Sequence, residues 1–166
     1  MRLSNRLLLA VMSGLLVSVP ATAQRADNQL SPQSIAFFHQ GQQLYSAGKF
    51  DEAEDVLESA LAADPRNRAA FVSLARVAQK QRLFGKSIRL TNKALALEPN
   101  DLDALEVQGE AMVELGAKAR AQANLTKLQK LCPSGCKQVA ALSSAITRGP
   151  TVAAATTPKT PAPKSN

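Results

Sequence analysis

The chain has 166 residues, with 20 Lys and Arg against 13 Asp and Glu, a formal charge of +7. Apolar residues make up 45% but aromatics only 4%, so a core must be built from closely packed Ala, Leu, Val and Ile, which favours helices. One His and two Cys exclude a zinc cluster of four cysteines and a haem c motif, and the composition excludes a protein of many membrane spans.

Residues 1–23 read as a secretory signal peptide. Arg2 and Arg6 give it a positive start, residues 7–19 are apolar but too few to span a bilayer comfortably, and Ala21-Thr22-Ala23 is a small-x-small cleavage pattern. Cleavage there predicts a mature start at Gln24; an uncleaved N-terminal anchor is the alternative. No Cys lies near the cleavage site, which disfavours a lipoprotein. Loss of Arg2 and Arg6 leaves a formal charge of +5, enough to meet anionic envelope polymers. Nucleic acid is disfavoured as a partner, because no basic patch interleaves with aromatics.

Residues 24–33 are expected to be an unstructured lead-in. Beyond them Pro65, Pro99 and Pro133 are spaced 34 apart and define units 34–67, 68–101 and 102–135. The eighth residue of each unit is small (Gly41, Ala75, Gly109), the fourth is large and apolar (Phe37, Phe71, Leu105), and the twentieth is small (Ala53, Ser87, Ala121). Apolar residues recur at helical spacing, which predicts helix pairs over 34–47 and 50–63, 67–80 and 84–97, and 101–114 and 118–131. Gly48 and Gly116 end first helices, where a left-handed residue is favoured. Each Pro stops a second helix. One pair cannot bury its apolar face alone, so the pairs must stack. Val139, Leu142 and Ile146 predict a capping helix over 134–147. Residues 148–166, rich in Pro, Ala, Lys and Thr without an apolar period, read as a disordered tail.

Over residues 34–135 this pattern resembles the tetratricopeptide repeat family. The residues that carry the resemblance best are Phe37, Gly41, Leu44, Ala53, Leu57, Ala60 and Pro65. The third unit departs most, with Lys118 where an aromatic is usual and Leu128 where a small residue is usual. The resemblance implies an all-α, right-handed α-solenoid of three helix-turn-helix repeats plus a capping helix. It also implies a concave groove, lined by the first helices, that binds a peptide or protein.

Outward positions on the first helices give the groove candidates. They are Phe38, Gln42 and Tyr45 in unit one, Val72, Arg76, Gln79 and Lys80 in unit two, and Glu106, Glu110 and Glu114 in unit three. Ile35, Ser46, Ala69, Asp103 and Val113 share those positions. Phe38 and Tyr45 are the apolar anchors, since aromatics are enriched at binding hot spots; the plainer reading has both only packing. Some members of the resembling family clamp a C-terminal carboxylate with Lys and Asn, but Phe38 and Gln42 stand at those positions here.

Charge falls in blocks. Unit one has 2 basic and 6 acidic residues, unit two has 7 and 2, and unit three has 4 and 4. Neighbouring units of opposite sign can pair across their interfaces; alternatively, Arg76 and Lys80 hold an acidic segment of a partner.

Cys132 and Cys136 flank Pro133-Ser134-Gly135. In an exported chain an even cysteine count points to a disulfide, here one stapling the last repeat to its cap; free thiols and a metal or redox role are the alternatives. The spacing is not the C-x-x-C of redox catalysts. No catalytic constellation, metal site or cofactor motif emerges. Asp51, Glu52, Glu54 and Asp55 cluster at a helix start, where acids suit the helix dipole.

The sequence therefore predicts a non-enzymatic scaffold or adaptor without a cofactor, exported across the inner membrane. The bacterial periplasm is inferred from the signal type and the resemblance. The expected partner is a protein or peptide in the groove, with no membrane span left after signal cleavage. The alternatives are an assembly factor for a pilus, secretion or cytochrome-maturation complex, or a binder of anionic envelope polymer through Arg82, Lys86, Arg89 and Lys93. A role in redox or metal handling through the two cysteines is a third class.

Overall fold

The computed structural model describes residues 29–151. The signal peptide, its cleavage site, residues 24–28 of the lead-in and residues 152–166 of the tail lie outside them. The described residues form seven helices and no strand. In chain order these are α1 (Pro32–Ser46), α2 (Phe50–Ala63), α3 (Arg68–Lys80), α4 (Phe84–Leu97), α5 (Leu102–Glu114), α6 (Lys118–Leu131) and α7 (Lys137–Arg148).

Six of these match the predicted pairs to within two residues. α1 begins at Pro32 rather than at 34, because Pro suits the first helical position, where no amide bond is needed. The cap begins at Lys137 rather than at 134. A turn closed by the Gly135 amide donating to the Cys132 carbonyl, 2.9 Å, occupies the intervening residues.

Two mechanisms set the ends of the first helices. Asn67 and Asp101, 34 apart, cap α3 and α5 by accepting from the amides of Ala70 and Ala104. At the other end Gly48 and Gly116 have φ of 76° and 73°, and the equivalent residue of unit two is Arg82 at φ 60°. The Leu83 amide then donates back to the Ala78 carbonyl at 2.7 Å. Arg82 thus holds a conformation that its two sister positions give to glycine.

Each helix packs on its pair mate, and each first helix also packs on both helices of the preceding pair. α7 continues this rule, lying on α5 and α6 as α5 lies on α3 and α4. The core follows the stack as three clusters. One joins Ala53, Leu57, Leu74 and Val77; the next Phe71, Val72, Ala75 and Val107; the last Leu105, Leu125, Leu128, Leu142 and Ile146. Small residues at the eighth and twentieth unit positions bring the helices close: Gly41, Ala53, Ala75 and Ala121 are all buried. A Cβ on Gly41 would lie 2.6 Å from Leu57 Cγ, and one on Gly109 would lie 2.6 Å from the Leu142 methyls. Among the described residues no helix is long and apolar enough to cross a membrane.

Candidate functional site: a concave groove in two parts

The first helices line two cavities. The larger, about 520 Å³, lies between Phe38, Gln42 and Tyr45 of α1, Val72 and Arg76 of α3, and Asp103 of α5. The smaller, about 300 Å³, lies further along, between Gln79, Lys80, Arg82, Glu110, Glu114 and Arg148. Most of the outward positions read from the sequence therefore converge on one side of the stack and divide between two hollows, whereas Ile35, Glu106 and Val113 line neither.

Aromatic residues form one wall of the larger cavity. Phe38 and Tyr45 are half-buried and rest on the cluster around Leu57 and Val77. Tyr45 also meets the Phe50 ring at 5.6 Å between centroids, and Phe38 meets His39 at 5.4 Å. Both anchors thus pack at their base and still face the cavity, so packing and exposure to the groove coexist. Val72 is only 6% exposed and is the floor of the groove rather than a free contact. Val113, expected on the outward face, is buried in the last core cluster instead. Successive units rotate slightly as they stack, and α7 covers this part of α5.

Of the two basic candidates, Arg76 is engaged. Arg76 reaches Asp103 at 3.3 Å and Glu106 at 3.4 Å, across the junction of units two and three. Between the oppositely charged units one and two, Lys86 pairs with Glu54, and at the next junction Arg76 is held by two carboxylates rather than free for an acidic segment. Burial pushes the Glu106 carboxyl above the usual carboxylate range despite the pull of Arg76. Glu110 is raised for the same reason, against Arg76, Arg148 and Lys80. Gln79 donates to the Val107 carbonyl at 2.7 Å, so its amide positions α5. Glu114 accepts from both the amide and the hydroxyl of Thr151, which brings the end of the described chain to the smaller cavity. Lys80 remains exposed at the rim.

Four lining residues of the larger cavity escaped the outward-position rule: Arg68, Ser73, Asp101 and Lys137. Arg68 pairs with Asp101 at the start of α3 and α5, and Lys137 enters from α7. Arg68 was findable as the residue after the Asn67 cap, and Asp101 as a cap itself. Lys137 was not, because only the docking of α7 brings it to the groove.

Cys132 and Cys136 are free thiols at the two ends of the α6–α7 turn. They are hydrogen-bonding neighbours, which pushes the Cys132 thiol up and the Cys136 thiol down. Among the described residues no group of three metal-ligating side chains occurs.

Comparison with known proteins agrees with this architecture. The tetratricopeptide repeat family profile matches residues 44–104. Among curated proteins no sequence matches the chain significantly. Solved structures of similar fold include the Sgt2 TPR domain from Aspergillus fumigatus, with a TM-score of 0.67 at 16% identity over 75% of this chain and 83% of that one. The first TPR of Spaghetti (RPAP3), bound to the HSP90 peptide SRMEEVD, has a TM-score of 0.64 at 22% identity, covering 70% and 91%. The TPR2B domain of yeast Sti1, in complex with an Hsp70 peptide, has a TM-score of 0.65 at 15% identity, covering 71% and 98%. At these identities the likeness is one of fold.

Proposed function

We propose, from the premise that residues 44–104 are tetratricopeptide repeats within a stack of the same fold, that this chain is a non-enzymatic interaction scaffold whose concave groove holds a partner peptide. The observation that carries this reading is the larger cavity, open between α1, α3 and α5, with two half-buried aromatic rings along one wall. Solved neighbours hold HSP90 and Hsp70 peptides. Here the first helix offers Phe38 and Gln42, and both arginines of the cavity are already paired, Arg76 with Asp103 and Glu106 and Arg68 with Asp101. An apolar or aromatic side chain of the partner, seated on Phe38 and Tyr45, is therefore the main contact.

The test is capture of partners from an envelope extract by the full chain, beside two variants with unchanged thermal melts. Phe38→Ala with Tyr45→Ala removes the anchors, and Ser46→Arg fills the cavity from an exposed position without touching the core. Loss of a hot-spot aromatic weakens binding about 30-fold or more. A partner lost with both variants supports the reading; equal recovery with all three proteins overturns it.

The compartment belongs to the same proposal. Residues 1–23 supply an export signal with a cleavage pattern, which favours the periplasm. There Cys132 and Cys136, already neighbours, would close a disulfide across the α6–α7 turn. Thiol counting on protein from that fraction, before and after reduction, would show no free thiols and then two.

A further inference from the structure

Opposite the groove, the second helices α2, α4 and α6 form the outer layer, and they divide sharply by charge. Within α2 every charged residue is an acid: Asp51, Glu52, Glu54, Asp55 and Glu58. Neither α4 nor α6 contains an Asp or a Glu. Repeat register shows how the bases align. Lys86, Lys93 and Leu97 of α4 are each 34 residues from Arg120, Lys127 and Leu131 of α6. On each helix these fall within one narrow stripe, since steps of seven and four return to the same face. The matching positions of α2 are Glu52, Ser59 and Ala63.

The fold engages three of the seven bases on α4 and α6 and leaves four to solvent. Lys86 pairs with Glu54, Lys93 sits over the Phe71 ring at 5.6 Å, and Lys127 donates to the Pro99 carbonyl. Arg89, Arg120, Lys118 and Lys130 are exposed and form no ion pair among the described residues. Each stripe ends in an exposed leucine, Leu97 at 46% and Leu131 at 38%.

We propose that this outer face of α4 and α6 docks the protein on an anionic bilayer surface. Bases near an anionic leaflet each raise partitioning about fivefold, and the effect multiplies over a cluster. The two leucines decide between a bilayer and a soluble polyanion. A dissolved polymer gives them nothing to bury against, whereas the boundary between headgroups and acyl chains accepts them. The acids of α2 are repelled by the same surface, so the molecule leans on its second and third repeats and the first repeat stands clear. The groove faces away and stays open to its peptide. The bilayer reading does not depend on the groove reading, since it uses none of the same residues.

The test is co-sedimentation of the full chain with vesicles of phosphatidylcholine alone, or of phosphatidylcholine with phosphatidylglycerol. Binding is expected only with phosphatidylglycerol, and it should weaken as salt rises. Arg89→Glu with Arg120→Glu, both exposed, should lower partitioning by about 25-fold or more, since two bases are lost and two acids added. Leu97→Ser with Leu131→Ser should lower it several-fold while leaving the salt dependence unchanged. Asp55→Lys with Glu58→Lys should raise it. Each variant is compared at equal helicity by circular dichroism. Failure of the wild-type chain to bind, or binding indifferent to the arginine reversals, overturns the proposal. So does full retention by the leucine variant together with equally tight binding of soluble polyphosphate, which would assign the face to a polymer.

Discussion

The two ends of the stack differ in how much of their seal is polar. At the first junction a buried polar network joins α1 to the start of α3. Asp64 accepts from the Ser31 amide at 2.9 Å and from the backbone and guanidinium of Arg66. Ser34 donates to the Ala60 carbonyl at 2.7 Å and accepts from the Asn67 side-chain Nδ2 at 2.9 Å. At the last junction apolar contacts dominate: Leu142 of α7 is fully buried against Gly109, with Leu128 and Ile146 beside it, and Gln138 adds one hydrogen bond to Asp103 at 2.9 Å. A polar clip works only when each partner is present, because an orphaned buried group costs free energy. An apolar seal needs matching shape and tolerates varied residues. The same repeat geometry accommodates both.

Breaking the apolar end should have the largest effect. Leu142→Ala should cost about 3–4 kcal/mol and detach the cap, read as a fall in the urea midpoint and faster hydrogen exchange in α7. The two buried glycines sharpen the comparison. Gly41→Ala sets its Cβ against Leu57 Cγ, whereas Gly109→Ala meets mainly the outer methyls of Leu142, which can swing aside. The first should cost about 2–3 kcal/mol and the second about 1 kcal/mol, by thermal melts of both. Equal losses would show that the two ends are equally rigid.

The polar end should respond to acid. The Arg66 guanidinium beside Asp64, with the Arg66 and Ser31 amides, holds its carboxyl well below the usual carboxylate range. A carboxyl depressed on folding stabilises the folded state at neutral pH. That contribution fades as pH falls below about 4, the unfolded value, and continues to fade toward the folded value. Urea midpoints measured from neutral pH downward should show this fall, and Asp64→Asn should flatten it while lowering the neutral midpoint.

The smallest effect concerns the turn of unit two. Arg82 holds the left-handed conformation that Gly48 and Gly116 hold in its neighbours. Arg82→Gly should stabilise the chain by about 0.5–1 kcal/mol, because relief of the strained backbone exceeds the entropy glycine adds to the unfolded chain. Unchanged stability would mean that the Arg82 side chain, at the rim of the smaller cavity, supplies compensating contacts.

The sequence determined the repeat length, the order of helices and nearly all their boundaries. Those features rest on local signals: the prolines 34 apart, the Asn67 and Asp101 caps, and Gly48 and Gly116. It also determined that Phe38, Gln42, Tyr45 and Arg76 share one face, since helical spacing fixes direction before any packing is known. Only the tertiary structure decided what those residues do there. It put Val72 beneath the groove and Val113 inside the core, and it divided the groove in two. It brought Lys137 in from the cap and joined Arg76 to Asp103 and Glu106. Each of these depends on how far one unit rotates over the next, which is set by side-chain shapes meeting across distant segments rather than by spacing along the chain.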